Sequence, residues 1–377
     1  MLHPPAHARV LVVGAGIAGL AAARALARAG FAVEVVEREQ ARKEAGAGIY
    51  LPGNAARALR LLDLEQAVVE KGVVITSQRV FDHRGRLLVE VDVAGLWNGV
   101  GPCLALHRAD LHAVLLEGAG EVPIRMGVDV RGLQQRNGAV TVEFGDGDAG
   151  EYDLVIGADG VHSSVRGLAL GGEMAARPVG QVGWRFVADC PPEVTTWSVM
   201  LGHRSAFLAL PIGHDRVYCY CDVIPSSGDD PHEDLDRLFS GFAEPVPVIL
   251  DTLPGREPVH RSTIEEVTLD SWVRGRVVLV GDAAHATSPN MAEGAAMALE
   301  DALVLADSLR QLGVSAAALS AFEARRRPRT DWVQAQTHRR DRTRYLPAVV
   351  RNATLRAFGR RIFRSNYRPL REDANRE

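Results

Sequence analysis

Three glycines near the amino terminus have a spacing that suits phosphate binding. Gly14, Gly16 and Gly19 form a G-x-G-x-x-G motif between the apolar run 9–13 and a small-residue stretch that ends at Gly30. In a strand–turn–helix unit the first glycine permits a tight turn, the second lets a pyrophosphate approach the backbone, and the third lets helix and strand pack closely. Free N–H groups at the helix start would bind the phosphates. The motif predicts a dinucleotide site.

An acid follows the motif at the expected distance. Glu37 ends the second apolar run, "FAVEVVE", where an acid hydrogen-bonds a ribose diol in such units. A carboxylate there would also repel a 2′-phosphate. This part of the chain does not distinguish NAD from FAD.

Two downstream stretches carry further polar residues after predicted strands. "GADGVHSSVR" (157–166) contains Asp159, and "GDAAHATSP" (281–289) contains Asp282. Ligands bind at the carboxyl ends of parallel strands, so Asp282 is a candidate ligand residue, with a helix N-cap as the alternative. His285 is open to a structural hydrogen bond or a chemical role. Arg166 is equally open to contact with a nicotinamide or a structural salt bridge.

The order of predicted elements interleaves two kinds of segment. Strand–helix alternation predicts an α/β fold with a parallel sheet, interrupted by β-rich insertions and followed by helices. The expected Rossmann-like nucleotide-binding domain comprises 1–75, 103–177 and 271–330, the β-sheet substrate domain comprises 76–102 and 178–270, and 331–377 form a C-terminal helical segment.

Composition limits the classes of partner. The 377 residues are 47% hydrophobic and carry a net charge of −4, which gives no reason to expect a nucleic-acid partner. No signal pattern and no membrane-spanning run stand out, so we expect a cytoplasmic protein, monomeric or homodimeric, without a membrane partner. Cys219 and Cys221 favour packing over a disulfide or metal, and no metal site is expected. The arginine-rich runs "RRRPRTDW" and "HRRDRTRY" predict solvated or dimer-facing helices.

Together, "GAGIAGL", "GADGVHSSVR" and "GDAAHATSP" resemble the fingerprints of flavin-dependent aromatic hydroxylases of the para-hydroxybenzoate hydroxylase type, which include urate, hydroxynicotinate and salicylate hydroxylases. The resemblance spans essentially the whole chain. It implies bound FAD, NAD(P)H as a co-substrate that binds transiently, and O2. It also implies a flavin C4a-hydroperoxide that hydroxylates a small activated aromatic or N-heterocyclic ring. Such a cofactor carries the chemistry, so no catalytic triad is needed.

The resemblance also assigns roles to individual residues. It places Asp282 at the ribityl chain, Pro289 beside the isoalloxazine, the helix start 293–296 at the flavin N1–C2=O edge, and Arg108 near the phosphate or ribityl region. The arginine usual before Gly48 is Arg42 or Lys43. The expected FAD contacts are Gly14, Gly16, Ala18, Gly19, Glu37, Arg38, Gly48, Arg108, Val130, Asp159, Asp282, Gly294 and Ala295.

One departure concerns the helix start. The family often reads Gln-Gly-x-Asn there, whereas this chain reads Glu293-Gly294-Ala295-Ala296, so the side-chain role of the Asn is lost. Backbone contacts survive such a change. The Glu also adds possible negative charge near the flavin.

Substrate residues are expected in the β-rich insertion. In "RVYCYCDV", Tyr218, Tyr220 and Asp222 alternate with the cysteines and share one face. The resemblance to urate hydroxylase places Tyr218 at the substrate, with core packing as the alternative. Arg204 and Arg185 are further candidates, for which a plain surface role is the alternative. The predicted catalytic set is Tyr218, Arg204, Arg185 and Pro289.

Three other functions share the fingerprints. A flavin halogenase needs an active-site lysine, and Lys43 and Lys71, the only lysines, are in the wrong regions. A reductase of the same superfamily and a catalytically silent FAD-binding sensor remain as alternatives. NADH oxidation with and without O2 would separate them.

Overall fold

A computed structural model of the protein describes residues 8–40, 47–136, 138–171, 175–225, 234–253 and 259–374. Arg42 and Lys43 lie outside the described residues.

The first part of the chain alternates strands and helices. The strands are β1 (Arg9–Val13), β2 (Ala32–Glu37), β3 (Gly48–Leu51), β4 (Val73–Val74), β5 (Ser77–Asp82), β6 (Leu87–Asp92), β7 (Leu104–His107), β8 (Ile124–Met126), β9 (Val130–Arg136), β10 (Ala139–Phe144), β11 (Ala149–Tyr152) and β12 (Leu154–Gly157). The helices are α1 (Ile17–Arg28), α2 (Gly53–Leu61), α3 (Glu65–Val69), α4 (Val93–Trp97), α5 (Arg108–Gly118) and α6 (Ser164–Leu170).

The second part is rich in strands and then helical. The strands are β13 (Arg177–Asp189), β14 (Trp197–Leu201), β15 (Ser205–Gly213), β16 (Arg216–Val223), β17 (His260–Glu266), β18 (Val273–Arg274) and β19 (Val277–Leu279). The helices are α7 (Leu235–Phe239), α8 (Val246–Asp251), α9 (Asp282–His285), α10 (Gly294–Leu312), α11 (Ala316–Thr343) and α12 (Ala348–Tyr367), with short 3-10 helices at Pro289–Met291 and Arg368–Arg371.

A six-stranded sheet carries the predicted nucleotide-binding motifs. Its order is β18-β19-β12-β1-β2-β8, and all neighbours run parallel except β18 and β19. The central strands are buried and almost wholly apolar, as parallel strands covered on both faces must be. The glycine motif, Asp159 and Asp282 follow β1, β12 and β19 at the same edge of this sheet. The predicted α/β architecture is confirmed.

A seven-stranded sheet gathers the β-rich segments. Its order is β17-β13-β16-β15-β14-β5-β6, so the early hairpin of β5 and β6 joins strands that come more than a hundred residues later. Pairing between β14 and β5 is parallel, and the other neighbours are antiparallel. Two smaller three-stranded sheets have the orders β11-β10-β9 and β3-β7-β4.

The two faces of β16 serve different cores. Cys219 and Cys221 face a separate apolar cluster with Phe239 and Ile249 of α7 and α8. All four cysteines are free thiols, and the burial of Cys219 and Cys221 in this cluster confirms the prediction that these two pack. Tyr218 lies on the opposite face and packs against the main core.

The arginine-rich helices are not simply solvated, which corrects the prediction for this segment. Arg326 of α11 is 0% exposed and binds Asp301 and Glu300 of α10 at 2.7 and 2.8 Å. Arg344 binds Asp222 of β16, with one N–O distance of 3.0 Å. A long helix that crosses the domain can bury arginines wherever it meets acids on neighbouring elements, because the ion pairs offset desolvation. The helical assignment itself is confirmed.

Candidate functional site

The glycine motif adopts the conformation that its spacing predicts. Gly14 has a φ of +107°, and a Cβ there would lie 2.5 Å from the carbonyl oxygen of Ala158. A Cβ on Gly19 would lie 1.8 Å from the Gly14 oxygen, so that glycine is required by helix packing. Gly16 differs, because a Cβ there would meet no atom of the described residues within 4 Å. It is the N-cap of α1 and supplies no side-chain cap, which leaves the helix N–H groups open to an anion.

Glu37 holds the glycine loop in place. Its Oε2 accepts a hydrogen bond from Ala15 N at 2.8 Å, and its Oε1 accepts one from Glu39 N at 3.0 Å. The carboxylate therefore lies against the loop that starts α1, near the position predicted for a ribose. The neighbouring Arg38 is exposed, and its Nε lies 4.0 Å from Glu39 Oε1. Val130 is buried at the start of β9.

Asp159 is engaged in local structure. Its carboxylate accepts hydrogen bonds from the backbone N–H groups of Ser164 and Val165 at 2.7 and 3.1 Å, and from the hydroxyls of Ser163 and Ser164. These contacts cap α6. The backbone of Asp159 still borders the glycine loop, since a Cβ on Gly14 would lie 3.1 Å from its Cα.

Arg166 joins two of the motifs. Its guanidinium donates to the carbonyl oxygens of Ala283 at 3.0 Å and Val161 at 2.7 Å, and the side chain is buried. Burial lowers the pKa of this arginine, partly offset by Asp159. The guanidinium is thus held by carbonyl oxygens of the protein, which favours a structural role for Arg166 over contact with a nicotinamide.

Asp282 presents a free carboxylate at the edge of the parallel sheet. Gly281, with a φ of +58°, is the N-cap of α9, so the N-cap alternative for Asp282 is wrong. Asp282 is exposed and forms no hydrogen bond or ion pair within the described part of the chain. A Cβ on Gly294 would lie 4.0 Å from its Oδ1, so the carboxylate stands beside the start of α10. A Cβ on Gly281 would lie 2.8 Å from that of Ala18, which brings α1 to the same place.

The start of α10 offers a second uncapped helix end. Glu293 is its N-cap but makes no side-chain cap, while Gly294 is exposed and Ala295 half-buried. The preceding loop, which contains Pro289, is attached to α11, because Asn290 Nδ2 donates to Asp341 Oδ1 at 2.7 Å. The uncapped N–H groups favour a ligand with negative charge or acceptor atoms.

A buried ionic network lies behind these loops, and the sequence reasoning missed it. Asp301 Oδ2 lies 2.7 Å from His285 Nε2 and accepts from Gly281 N at 2.8 Å. Asp301 Oδ1 accepts from Arg326 Nε at 2.7 Å. Burial alone would raise the pKa of Asp301, but the charges of His285 and Arg326 hold it below its ordinary value. His285 therefore has the structural role.

The signal for this network was present in the sequence. Glu300 and Asp301 are adjacent acids in the otherwise apolar stretch 294–306 of α10, and Arg326 and Arg329 are three residues apart, on one side of α11. Arg329 binds both oxygens of Glu300, at 2.7 and 2.8 Å. Acids in a buried stretch require cations from another element.

Tyr218 of the seven-stranded sheet lies close to three other predicted residues, Gly48, Arg185 and Arg108. Tyr218 lies between Val187 and Leu210 on neighbouring strands. A Cβ on Gly48 would lie 2.3 Å from the Cβ of Tyr218, so β3 and β16 are in close contact there. Burial raises the pKa of Tyr218, and the nearby charges of Arg185 and Arg108 offset part of that rise.

Arg185 adds a cation to the face of the sheet that carries Tyr218. It donates to Ser262 Oγ at 3.0 Å, and its guanidinium carbon lies 5.1 Å from the centroid of the Tyr220 ring. Arg108 occupies the first position of α5, where its backbone N donates to Ala47 O at 2.9 Å. Its side chain is exposed and forms no hydrogen bond or ion pair within the described residues. A phenol and two cations therefore converge beside Gly48.

The structure places Arg204, the other arginine of the predicted catalytic set, in a different part of the sheet from Tyr218 and Arg185. Arg204 lies in the turn between β14 and β15. The next residue, Ser205, pairs with Val223 at the far end of β16, whereas Tyr218 pairs with Leu210. Arg204 Nη2 donates to Pro225 O at 3.0 Å, and its guanidinium stacks 5.3 Å from the centroid of Tyr345. The backbone of this turn has a positive φ of 57° at Arg204.

Residues 7–337 match the FAD binding domain family. The chain belongs to this family. Aurachin C monooxygenase/isomerase of Stigmatella aurantiaca is 34% identical over 337 residues, which cover 88% of each chain. The 6-hydroxynicotinate 3-monooxygenase of Pseudomonas fluorescens is 32% identical over 357 residues, covering 88% of this chain and 90% of that enzyme.

The fold matches a solved flavoprotein. Klebsiella pneumoniae HpxO complexed with FAD and uric acid superposes with a TM-score of 0.87 at 29% identity, covering 97% of both chains. The protein is therefore an FAD-dependent monooxygenase. Its uncapped helix ends, the open side of Gly16 and the free carboxylate of Asp282 fit that cofactor. Among the described residues, no helix combines the length and apolar character needed to cross a membrane.

Proposed function

We propose that this FAD monooxygenase uses NAD(P)H and O2 to hydroxylate a small, electron-rich aromatic or N-heterocyclic ring. The observation that carries the substrate class is the convergence of Tyr218, Arg185 and Arg108 beside Gly48. A phenol and two guanidinium groups suit a ring that bears an acidic oxygen. The relatives named for hydroxynicotinate and the structure with uric acid support the same class.

The two halves of the site have separate tasks in this proposal. FAD binds to the domain formed by residues 1–75, 103–177 and 271–330. The substrate sheet is formed by residues 76–102 and 178–270, and the C-terminal helical segment 331–377 supports both. Support comes from the pairing of β5 with β14, which joins the early insertion to the late one.

FAD-binding roles follow from the free groups at the sheet edge. The uncapped start of α1 would bind the pyrophosphate, Glu37 the ribose, and Asp282 the ribityl chain. The start of α10, Gly294 and Ala295, would lie at the electron-accepting edge of the ring, with Pro289 beside it. Bound FAD supplies the transfer of electrons from NAD(P)H and the activation of O2. The protein binds, orients and keeps water out.

Tyr218 and Arg185 would act on the substrate. Because burial raises the pKa of Tyr218, its hydroxyl keeps its proton and donates a hydrogen bond to a substrate oxygen. Arg185 stabilises the negative charge of that oxygen, which favours the deprotonated and more nucleophilic ring. Both effects make the ring a better acceptor for an electrophilic oxygen atom.

The direct test is a substrate screen with purified holoenzyme. NADH and NADPH oxidation is measured with and without O2 over phenols, phenolic acids, hydroxylated pyridines and purines, and products are analysed by mass. We expect substrate-stimulated oxidation and a product 16 mass units heavier, one added oxygen atom. Oxidation without O2 would indicate a reductase, and no oxidation with any compound would indicate a binding protein. Turnover of large multi-ring compounds alone would contradict the small-ring class.

A further inference from the structure

Glu293 is a carboxyl group in an unusual position at the N-terminus of a helix. It directly precedes α10 as the N-cap residue, and its side chain is only 1% exposed. The ligand-facing residue at this helix end is the exposed Gly294. Glu293 therefore lies behind the helix start and affects a bound cofactor only through the helix.

The hydrogen bonding of Glu293 calls for one additional proton. Asn54 Nδ2 donates to Glu293 Oε2 at 3.0 Å and to Glu300 Oε1 at 3.3 Å. Glu293 Oε1 and Asn54 Oδ1 are buried acceptors, and no described residue donates to either. A proton on Glu293 Oε1 would turn this oxygen from an acceptor into a donor. Unpaired buried acceptors are costly, so the protonated acid is the better-satisfied state.

The charges around Glu293 are largely committed to other partners. Arg329 binds Glu300 at 2.7 Å, and Arg340 donates to the Asn290 carbonyl at 2.7 Å. No arginine among the described residues forms an ion pair with Glu293. The groups that face it are Asn54 of α2, Tyr50 of β3, Cys103 before β7, Glu300 of α10, Arg329 and Arg340 of α11, and Tyr367 of α12.

Burial dominates the ionisation of Glu293. It raises the pKa of the carboxyl to about 8, with Glu300 acting in the same direction and Asn54, Arg329 and Arg340 acting against it. The acid is therefore mostly neutral at pH 7.

We propose that Glu293 is held as a neutral carboxylic acid paired with Asn54, and that this neutral state preserves the positive end of α10 for the bound flavin. The proposal rests on the proposed position of the flavin at the start of α10. An ionised Glu293 would place its own negative charge at the helix end, where it competes with the negative charge that a reduced flavin carries. Glu293 is thus a positioning residue that acts through the helix.

The sign of the pH effect follows from linkage. A carboxyl whose pKa is raised in the folded protein contributes stability that is fully present below its ordinary pKa of 4.5 and is lost as pH rises through about 8. The stabilisation of reduced over oxidised flavin should weaken over the upper part of the same range. Replacing Glu293 with Gln should remove both dependences, because the amide is uncharged and has a similar size and shape.

The first measurement uses apoprotein and needs no flavin. Melting temperatures of wild type, Glu293→Gln and Glu117→Gln are compared from pH 5.5 to 9; Glu117 is an exposed acid on α5. We expect the melting temperature of the wild type to fall relative to that of Glu293→Gln as pH rises to about 8. Above that pH the difference between the two should stay constant. Glu117→Gln should follow the wild type. Parallel curves for all three proteins over the whole range would overturn the proposal.

The second measurement tests the link to the flavin. The midpoint potential of bound FAD is titrated in wild type and Glu293→Gln from pH 6 to 9. We expect the wild type to lose about two- to fivefold of its preference for reduced flavin, relative to the variant, as pH rises. Equal pH profiles of the two potentials, with divergent melting curves, would overturn the flavin link. Failure of the wild type to bind FAD would instead refute the proposed function, and the apoprotein comparison would still stand.

Discussion

The buried carboxylate of Asp301, in the middle of α10, accepts a hydrogen bond from the backbone N–H of Gly281 at 2.8 Å. The same carboxylate contacts His285 and Arg326, so one acid fixes the loop that carries Asp282 and ties it to α11. The loop therefore owes its shape to a residue twenty positions further along the chain.

The first prediction tests that anchor with Asp301→Asn. Loss of the charge leaves the buried Arg326 with Glu300 as its one ionic partner among the described residues, and we expect the free energy of unfolding to fall by about 3 kcal/mol. Because the pKa of Asp301 is lowered, its contribution is present at neutral pH and lost on acidification, so the difference should shrink below about pH 4. Denaturant unfolding at several pH values measures this.

The control is Asp331→Asn, an exposed acid on α11. Its effect on stability should be within about 0.5 kcal/mol. Equal stability of the two variants would show that the buried pair contributes nothing net.

The second prediction concerns Asp282→Ala. Its carboxylate has no partner among the described residues, so the variant apoprotein should be as stable as the wild type. FAD affinity should fall, because a lost hydrogen bond to a charged group is worth about 1.5–3 kcal/mol, or roughly 10- to 150-fold in Kd. Fluorescence titration of apoprotein with FAD gives the affinity. Wild-type affinity in this variant would exclude Asp282 as a ligand residue.

The third prediction separates two glycines of the same motif. Gly16→Ala adds a methyl group at a place where, in the described part of the chain, no atom lies within 4 Å, so it should spare the fold and weaken FAD binding. Gly19→Ala should destabilise the apoprotein, because its Cβ would lie 1.8 Å from the Gly14 carbonyl oxygen. Melting temperature and FAD titration on both variants report the two effects. The reverse pattern would contradict the assignment of Gly16 to the phosphates.

Local sequence signals predicted the sheet edge well. Glu37 ends a strand of the parallel sheet, and the glycine motif and the two aspartates follow strands of it, because strand ends and tight turns leave short, recognisable patterns. The alternation around Tyr218 likewise predicted which side chains share a face, and the cysteines face the other core.

Long-range partners could not be predicted in the same way. The contact of Arg344 with Asp222 joins residues 122 positions apart, and that of Asn54 with Glu293 joins residues 239 positions apart. Nothing in a helical pattern says which of many arginines meets a buried acid. Arg204 shows the converse: it is close to β16 in sequence, but the structure places it in the β14–β15 turn, away from the face of β16 that carries Tyr218.

The last prediction compares two arginines of the seven-stranded sheet. Arg185→Gln removes a cation from the face that carries Tyr218, and Arg204→Gln removes one from the β14–β15 turn. If Arg185 binds an anionic ring oxygen, its loss should raise the substrate KM or Kd about 10- to 150-fold, the equivalent of a charged hydrogen bond. Tyr218→Phe should cost less, about 2- to 10-fold, because a neutral hydrogen bond is weaker.

Arg204→Gln serves as the matched control, because it removes the same charge from the same sheet at a distance from Tyr218. Its substrate affinity should equal that of the wild type. The change in flavin absorbance on adding a substrate from the screen measures Kd directly, and NADH oxidation without substrate reports whether the flavin site is intact. A loss of affinity confined to Arg204→Gln would move the substrate to the turn and refute the role given to Tyr218 and Arg185. A loss in all three variants would point to the stability of the sheet as the cause, which their melting temperatures would reveal.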